Sequence, residues 1–309
     1  RLCDGREVLG TAQEISEPRL TSGWGSSMDS HLKMLPRISI VIPSFNQGRY
    51  LRQSIESVLA ESYPALEIVV MDGGSTDQSR DIIQEYARRL TYWQSQADAG
   101  QAAAINQGIE RCSGDIVAWL NSDDYYMPGA LWTVARAYDA FPARGLYVGN
   151  GLRYRERHEQ FTPFCRRHVA VNRRVLTNGL DYILQPATFF LRHTWHDVGG
   201  LKTDLRYCLD WDIILRIAQR YPAVTINEFL AVTREYDETK TSLGAMERIF
   251  EIHRTVKSWT GRDVTPGTLH YLLETLLDPR TRNVSPKVQY YLTNAQLEIL
   301  NIFRTMSGN

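Results

Sequence analysis

Three short apolar runs, Ile38–Ile42, Leu66–Met71 and Asp115–Leu120, are separated by stretches whose apolar residues recur at helical spacing. That alternation predicts a parallel sheet joined by right-handed crossovers. The runs show little polar alternation, as in strands covered on both faces. Leu51, Ile55, Val58 and Leu59 form the helical stripe after the first run, closed by Tyr63-Pro64, and Ile82, Ile83, Tyr86 and Leu90 the stripe after the second. Thr91–Gln94 supplies a further short strand and Gln101–Arg111 a helix. The third run ends in Asn121-Ser122-Asp123-Asp124. Ligands of open α/β sheets bind beyond the carboxyl ends of the strands, so chemistry is expected here. Two adjacent carboxylates at such an edge repel each other and lose solvation, which calls for a positive neighbour, most simply a divalent cation. The competing reading is a helix-capping acid beside a solvated one, because Pro128-Gly129 and the spacing Leu131, Val134, Tyr138, Phe141 announce a helix.

The second half is less regular. Gly145–Val148, Ala187–Leu191 and Val224–Ile226 have strand patterns and Tyr207–Arg220 a helical one. Residues 1–36 lack apolar periodicity and form an arm or linker. Beyond Leu243 the helical signal dominates, through Ile249, Ile252, Val256 and Trp259, then Leu269, Leu272, Leu273, Leu276 and Leu277, then Leu292–Phe303, punctuated by Asp278-Pro279 and Ser285-Pro286. Residues 244–309 are therefore expected to be a helical extension that packs on the core or joins a homo-oligomer.

With 309 residues, 43% of them hydrophobic, the chain can bury a full core in one large domain or two. Its 35 Lys and Arg balance 35 Asp and Glu, so no nucleic-acid partner is implied. Cys3, Cys112, Cys165 and Cys208 contain no CxxC pair, which argues against a zinc site and a disulfide framework and for a reducing compartment. No stretch approaches the roughly 20 apolar residues of a membrane span, and the first residues lack the order of a signal peptide. A cytoplasmic location is expected, with peripheral docking on the inner face of the membrane as its variant. The one local charge excess is Arg153, Arg155, Arg157, Arg166, Arg167, Arg173 and Arg174 against Glu156 and Glu159. A solvated face is the leading reading, and docking of an anionic acceptor or membrane surface the minority one.

Five segments fall in a familiar order: Ile38–Tyr50, Asp72–Ser79, Asp98–Gly108, Asn121–Pro128 and Leu209–Arg216. Together, over residues 37–243, the chain resembles a family 2 glycosyltransferase of the GT-A fold. The resemblance implies an α/β, Rossmann-like domain with a mostly parallel central sheet flanked by helices, residues 37–128 serving the nucleotide-sugar and 129–243 the acceptor. It implies inverting transfer of a sugar from a nucleotide-diphosphate donor to an acceptor hydroxyl. The acceptor would be a saccharide or lipid-linked glycan, in surface polysaccharide or glycan assembly.

The same resemblance assigns residues. Pro43, Phe45 and Asn46 line the loop used for the nucleobase, and Asp72 accepts from a base N–H or ribose hydroxyl. Gly73 lets the backbone approach closely, although Asp72–Asp77 also suffices as a turn and cap. Asp98, Gln101 and Asn106 belong to the segment resembling D-x-G-Q-x-x-A-x-N-x-G, whose Asp meets the nucleotide; the helix start there favours a phosphate. Asp98 as a plain helix cap is the alternative. Asn121 stands where the family's D-x-D motif has its first acid, giving a neutral ligand or ribose contact. Asp123 and Asp124 share Mg²⁺ or Mn²⁺, and which of them ligates directly stays open. In Leu209-Asp210-Trp211-Asp212, Asp210 is the general base, with an N-cap acid as the alternative, and Trp211 lies on the substrate side. Asp212 lies about 200° around the helix and cannot share that work. Gln185 belongs to a segment on the acceptor side. Arg234 and Lys240 can meet the diphosphate, in a segment where relatives carry a His and this chain has Tyr236. The departures at Asn121 and Tyr236 sustain one alternative, a non-catalytic nucleotide-sugar or glycan-binding relative acting as scaffold in a synthase complex. A nucleotide-binding oxidoreductase is the weaker one, because no G-x-G-x-x-G follows the first strand.

Overall fold

The computed structural model describes residues 35–165, 170–277 and 293–302. Residues 1–34 of the expected arm, Arg166, Arg167, both Pro-containing breaks at 278–286 and the ends of the last stripe, Leu292 and Phe303, lie outside the described residues. The first half alternates as its pattern dictates: β1 (Ile38–Ser44), α1 (Gly48–Ala60), β2 (Leu66–Asp72), α2 (Ser79–Tyr86), β3 (Tyr92–Ser95), α3 (Gln101–Glu110) and β4 (Ile116–Trp119). A two-residue β5 (Tyr125–Tyr126) and α4 (Ala130–Ala140) follow. Then come β6 (Leu146–Arg155), β7 (Gln160–Pro163), α5 (Arg173–Thr177), β8 (Thr188–Leu191), α6 (Arg192–Asp197), α7 (Leu209–Arg220) and β9 (Ala223–Glu235). The chain continues with α8 (Lys240–Leu243), α9 (Ala245–Thr260) and α10 (Pro266–Leu277).

The strands form one sheet in the order β3-β2-β1-β4-β8-β6-β9-β5, with β7 paired to β6. β1 pairs in parallel with both β2 and β4, and β2 with β3. The continuation is mixed, since β8 runs antiparallel to β4 and β6 while β9 runs parallel to β6. Chain order reverses between β1 and β4, and such a switch point opens a crevice beyond the strand ends.

Every residue of β1 is buried because both sheet faces are covered. Ile38, Ile40 and Ile42 pack with Leu51, Ile55 and Val58 of α1 on one face. Val41 packs with Ile105 and Ile109 of α3 on the other, as the period of two requires. β6 and β9 run well beyond the expected Gly145–Val148 and Val224–Ile226. Asn150 and Asn227-Glu228 break the apolar runs, and the pairing absorbs the irregularity in a register shift between Val148 and Gly151. A Cβ at Gly151 would sit 2.3 Å from the Ala231 carbonyl oxygen, so this close approach needs glycine.

α9 and α10 pack on α7 through Trp211, whose ring lies 5.3 Å from Trp259 and 6.1 Å from Tyr271, centroid to centroid. Among the described residues no helix is long and apolar enough to cross a membrane.

Candidate active site

A cleft of about 1260 Å³ opens at the carboxyl ends of β1 and β4 and is lined on its far side by Leu205, Arg206, Tyr207 and Asp210 and by residues 233–236 and 238–240. Phe45, 62% exposed, stands at its mouth directly after β1. Next to it, a Cβ at Gly73 would lie 3.3 Å from the Phe45 ring and 3.0 Å from Asp98 Oδ2. A side chain there would fill the slot between aromatic ring and carboxylate.

The slot is braced from behind. Asn46, at φ 52°, accepts at Oδ1 from Thr76 N at 2.8 Å and donates its own N–H to Ser75 Oγ at 2.7 Å. Asp72, 1% exposed, accepts from Ser75 N at 2.9 Å and from Ser95 Oγ at 2.7 Å. Asp77 accepts from Gly48 N and Ser79 N, capping two helices at once. The buried Asp72 carboxylate is thus spent behind the cleft, holding its two loops together, and the expected base or ribose contact of Asp72 does not fit. Asn46 is exposed and braces the same loop through its backbone N–H and Oδ1.

α3 starts at the cleft. Gly100, at φ 102°, presents its N–H to Asp98 Oδ1 at 2.7 Å, and Gly100, Gln101 and Ala102 line the opening. The positive end of this helix faces the space that an anionic ligand would occupy. Asn106, one turn on, clamps the 199–201 turn instead, donating to Leu201 O at 2.8 Å and accepting from Leu201 N at 2.9 Å. Trp211 is likewise not on the substrate side: it is 2% exposed and donates Nε1 to Leu176 O at 3.1 Å. Both are framework residues, because their polar atoms already have backbone partners.

The two acids after β4 face different surroundings. Asp124, 4% exposed, accepts from Arg234 N at 3.2 Å on one oxygen and from Asn121 Nδ2 at 3.2 Å on the other, stitching β4 to the end of β9. Asp123 is half-buried against the cleft and accepts from the Tyr236 hydroxyl at 2.9 Å, which in turn accepts from Gln47 Nε2 at 3.2 Å. Burial raises both carboxyls. Asp124, with Asp123 beside it as the second cause, is pushed up to about 8.

Asn121 joins the walls. It accepts from Gln101 Nε2 at 2.8 Å and donates to Asp124 and to Gln185 Oε1, the latter at 3.1 Å. Gln185 passes the chain to Trp119 O at 2.8 Å, and Lys240 Nζ donates to Gln101 Oε1 at 2.6 Å. An amide suits this point because it must accept on one side and donate on the other. Asn121 is the hub of the cleft floor.

On the opposite wall Asp210 opens α7, half-buried and facing the same cleft. It accepts from Trp211 N at 2.9 Å. Burial raises its pKa, with Lys240 and Arg248 opposing, and burial lowers that of Lys240, with Asp210 opposing. Asp212 is fully buried and paired with Lys202 at 2.8 Å and Arg216 at 2.7 Å, so the two acids of this motif are separated as expected. The Arg234 guanidinium lies about 5 Å from the ring centres of Tyr50 and Tyr125 and bonds to Gln53.

The cleft thus brings together Pro43, Phe45, Gly73, Asp98, Gln101, Asn121, Asp123, Asp124, Gln185, Asp210, Arg234 and Lys240. Sequence reasoning missed Gln47 and the wall residues Arg206 and Tyr207. Gln47 was marked by its place in the loop after β1. Nothing marked the other two.

Comparison with known proteins bears on this arrangement. Residues 39–194, which include β1, β4 and the cleft loops that follow them, match the family described as Glycosyl transferase family 2. An uncharacterized glycosyltransferase of Rickettsia typhi is 26% identical over 69% of this chain and 69% of its own length. Another, from Nostoc, is 38% identical over 36% of this chain and 35% of its own. Among solved structures, Staphylococcus aureus TarS 1–349 in complex with UDP-GlcNAc aligns at TM-score 0.57 and 17% identity, covering 86% of this chain and 80% of TarS. Mannosyltransferase PcManGT from Pyrobaculum calidifontis, in complex with GDP-Man and Mn²⁺, aligns at TM-score 0.56 and 19% identity, covering 89% and 84%. The structural likeness carries the GT-A fold. With half of the sequence matching over the same strands that build the cleft, the chain belongs to glycosyl transferase family 2.

Proposed function

We propose that the chain transfers a sugar from a nucleotide-diphosphate donor to an acceptor hydroxyl with inversion, using Asp210 as general base. One observation carries this reading: Asp210 and the Asp123–Asp124 pair, almost ninety residues apart in sequence, line one cleft large enough for a nucleotide-sugar. Inverting transfer needs a carboxylate on the side of the sugar away from the leaving diphosphate, within reach of the acceptor hydroxyl. Asp210 takes that proton. Phe45 and the Gly73–Asp98 slot receive the nucleobase, and the start of α3 with Lys240 supports the diphosphate. The solved neighbours hold UDP-GlcNAc and GDP-Man, which supports a nucleotide-sugar donor. Phe164, Arg206 and Tyr207 border the acceptor side, a surface suited to a saccharide or lipid-linked glycan, and the reading extends to glycan assembly.

A divalent cation fits the acids present. Among the described residues no three His, Cys, Asp or Glu side chains form a cation cage. Mg²⁺ and Mn²⁺ at phosphate sites need none, since one or two carboxylates and the phosphates suffice. Asp123 would hold the ion, because both oxygens of Asp124 serve Asn121 and Arg234. When bound, the cation supplies charge neutralisation at the departing diphosphate.

The test is release of UDP or GDP from a panel of nucleotide sugars with Mg²⁺ or Mn²⁺, comparing wild type with Asp210→Asn. Turnover is expected to fall on the order of 10²-fold with nucleotide affinity kept. Unchanged turnover overturns the base assignment, and tight nucleotide binding with no turnover on any donor restores the scaffold reading.

A further inference from the structure

The carboxylate of Glu251, on α9, is 7% exposed and faces the segment that leads into α7. Its Oε1 accepts from Tyr207 N at 2.6 Å and Cys208 N at 2.8 Å, and its Oε2 accepts from Arg206 N at 2.9 Å. Three consecutive backbone amides thus converge on one side chain. α7 has no side-chain cap of its own at Cys208, so Glu251 supplies a negative group to the helix start from another part of the chain. Arg206 and Tyr207 line the cleft, and Asp210 follows two residues after the last bonded amide. α9 is itself fixed by Ile249, Ile252 and Val256 in the core and by Trp259 against Trp211.

We propose that Glu251 is a positioning residue for sugar transfer: it holds the cleft wall Arg206–Cys208 and, through it, the carboxylate of Asp210 at the acceptor. This rests on the reading of Asp210 as base. It makes the C-terminal helices part of the reaction apparatus, although α9 lies outside the residues that carry the family match. The separation of tasks is physical. The nucleobase slot is built by the loops after β1, β2 and β3, and the hydrogen bonds of Glu251 go to the 206–208 wall instead, so loosening that wall acts on the chemical step and spares nucleobase binding. Ångström-scale displacement of a catalytic group is enough for a large rate loss.

The experiment compares Glu251→Gln, Asp210→Asn and the double variant for UDP or GDP release from the best donor of the panel, with calorimetry of UDP and GDP in Mn²⁺. In Glu251→Gln, kcat is expected to fall about tenfold or more, with donor KM and nucleotide affinity within about twofold of wild type. In the Asp210→Asn background the same substitution is expected to cost nothing further, because both act at one group. A folded Glu251→Gln with wild-type kcat, or an equal loss in both backgrounds, overturns the proposal while leaving Asp210 as base. Unchanged turnover in Asp210→Asn alone removes the base assignment and the proposal with it. Where Glu251→Gln does not fold, Glu251→Asp, which keeps the charge and shortens the reach, is held to the same outcomes. Amide exchange on the wild-type protein gives an independent reading. The N–H groups of 206–208 are expected to exchange far more slowly than those of exposed Thr203 and Asp204, and equal rates overturn the proposal.

Discussion

The Tyr236 hydroxyl donates to Asp123 Oδ2 at 2.9 Å, joining residues 113 positions apart across the cleft floor. The phenol has no competing proton to lose, because burial and Asp123 both hold its pKa well above the ordinary value. It therefore fixes the orientation of the carboxylate proposed to hold the cation. Tyr236→Phe removes the hydroxyl but keeps the ring, which packs 5.0 Å from Tyr50. A single such hydrogen bond is worth about 0.5–1.5 kcal/mol, so Mn²⁺-supported UDP or GDP binding should weaken by about two- to tenfold. Calorimetry returning wild-type affinity would show that Asp123 needs no such brace.

Asp123 and Asp124 should separate by readout. Asp123→Ala is expected to abolish the Mn²⁺ enhancement of nucleotide binding while barely moving the melting temperature, since its carboxylate faces the cleft. Asp124→Ala leaves Arg234 N and Asn121 Nδ2 without their acceptor at a buried position, a loss of about 1–3 kcal/mol for each unsatisfied group. It should melt several degrees lower at pH 6. The pH dependence has a definite sign. The folded pKa of Asp124, about 8, lies above the ordinary carboxylate value, so its contribution is fully present below that ordinary value and is lost as pH rises toward 8. Metal-free wild type should therefore melt progressively lower between about pH 4 and pH 8, and Asp124→Asn should flatten that slope. A flat wild-type profile would place Asp124 in a more solvated setting.

The Asp210 carboxyl lies above its ordinary value because of burial, with Asp181 close enough to be raised in turn and with Lys240 and Arg248 as the opposing cations. A base works only when deprotonated, so kcat should rise with pH through an acid limb above the ordinary Asp range near pH 4. Lys240→Gln removes one opposing cation and should move that limb to higher pH, costing more turnover at pH 6 than at pH 8. A limb that stays put in Lys240→Gln would separate Lys240 from the base.

The parallel half of the fold was legible because its strands are apolar on both faces and its helices carry full stripes; Ile38–Ile42 against Leu51, Ile55 and Val58 needs no tertiary information. The long β6 and β9 were not, because Asn150, Asn227 and Glu228 interrupt the pattern where a register shift absorbs them. Asp123 stood out for a similar reason, since it follows the point where the apolar run Asp115–Leu120 stops, whereas Asp210 lies at a helix start and was marked only by the motif Leu209-Asp210-Trp211-Asp212. The partners that divide the work lay out of reach. Asn106 and Trp211 belong to motifs that look like binding residues, yet pairing with the Leu201 backbone and packing on Trp259 decide their use. Tyr236 on Asp123 and Glu251 on 206–208 depend on segments that meet only in three dimensions.

The slot at Gly73 gives the sharpest steric test. A Cβ there would approach the Phe45 ring to 3.3 Å and Asp98 Oδ2 to 3.0 Å. Phe45 is exposed and can swing aside, so Gly73→Ala should cost little in stability; Gly73→Val adds two methyl groups in the space assigned to the nucleobase. Neither change touches Asp123, Asp124 or Asp210. Nucleotide affinity should therefore fall about tenfold for Ala and about a hundredfold for Val, about 1.4 and 2.7 kcal/mol, with kcat at saturating donor reduced far less. A Gly73→Val protein that binds UDP and GDP as tightly as wild type would move the nucleobase out of this slot and toward the Tyr207 side of the cleft.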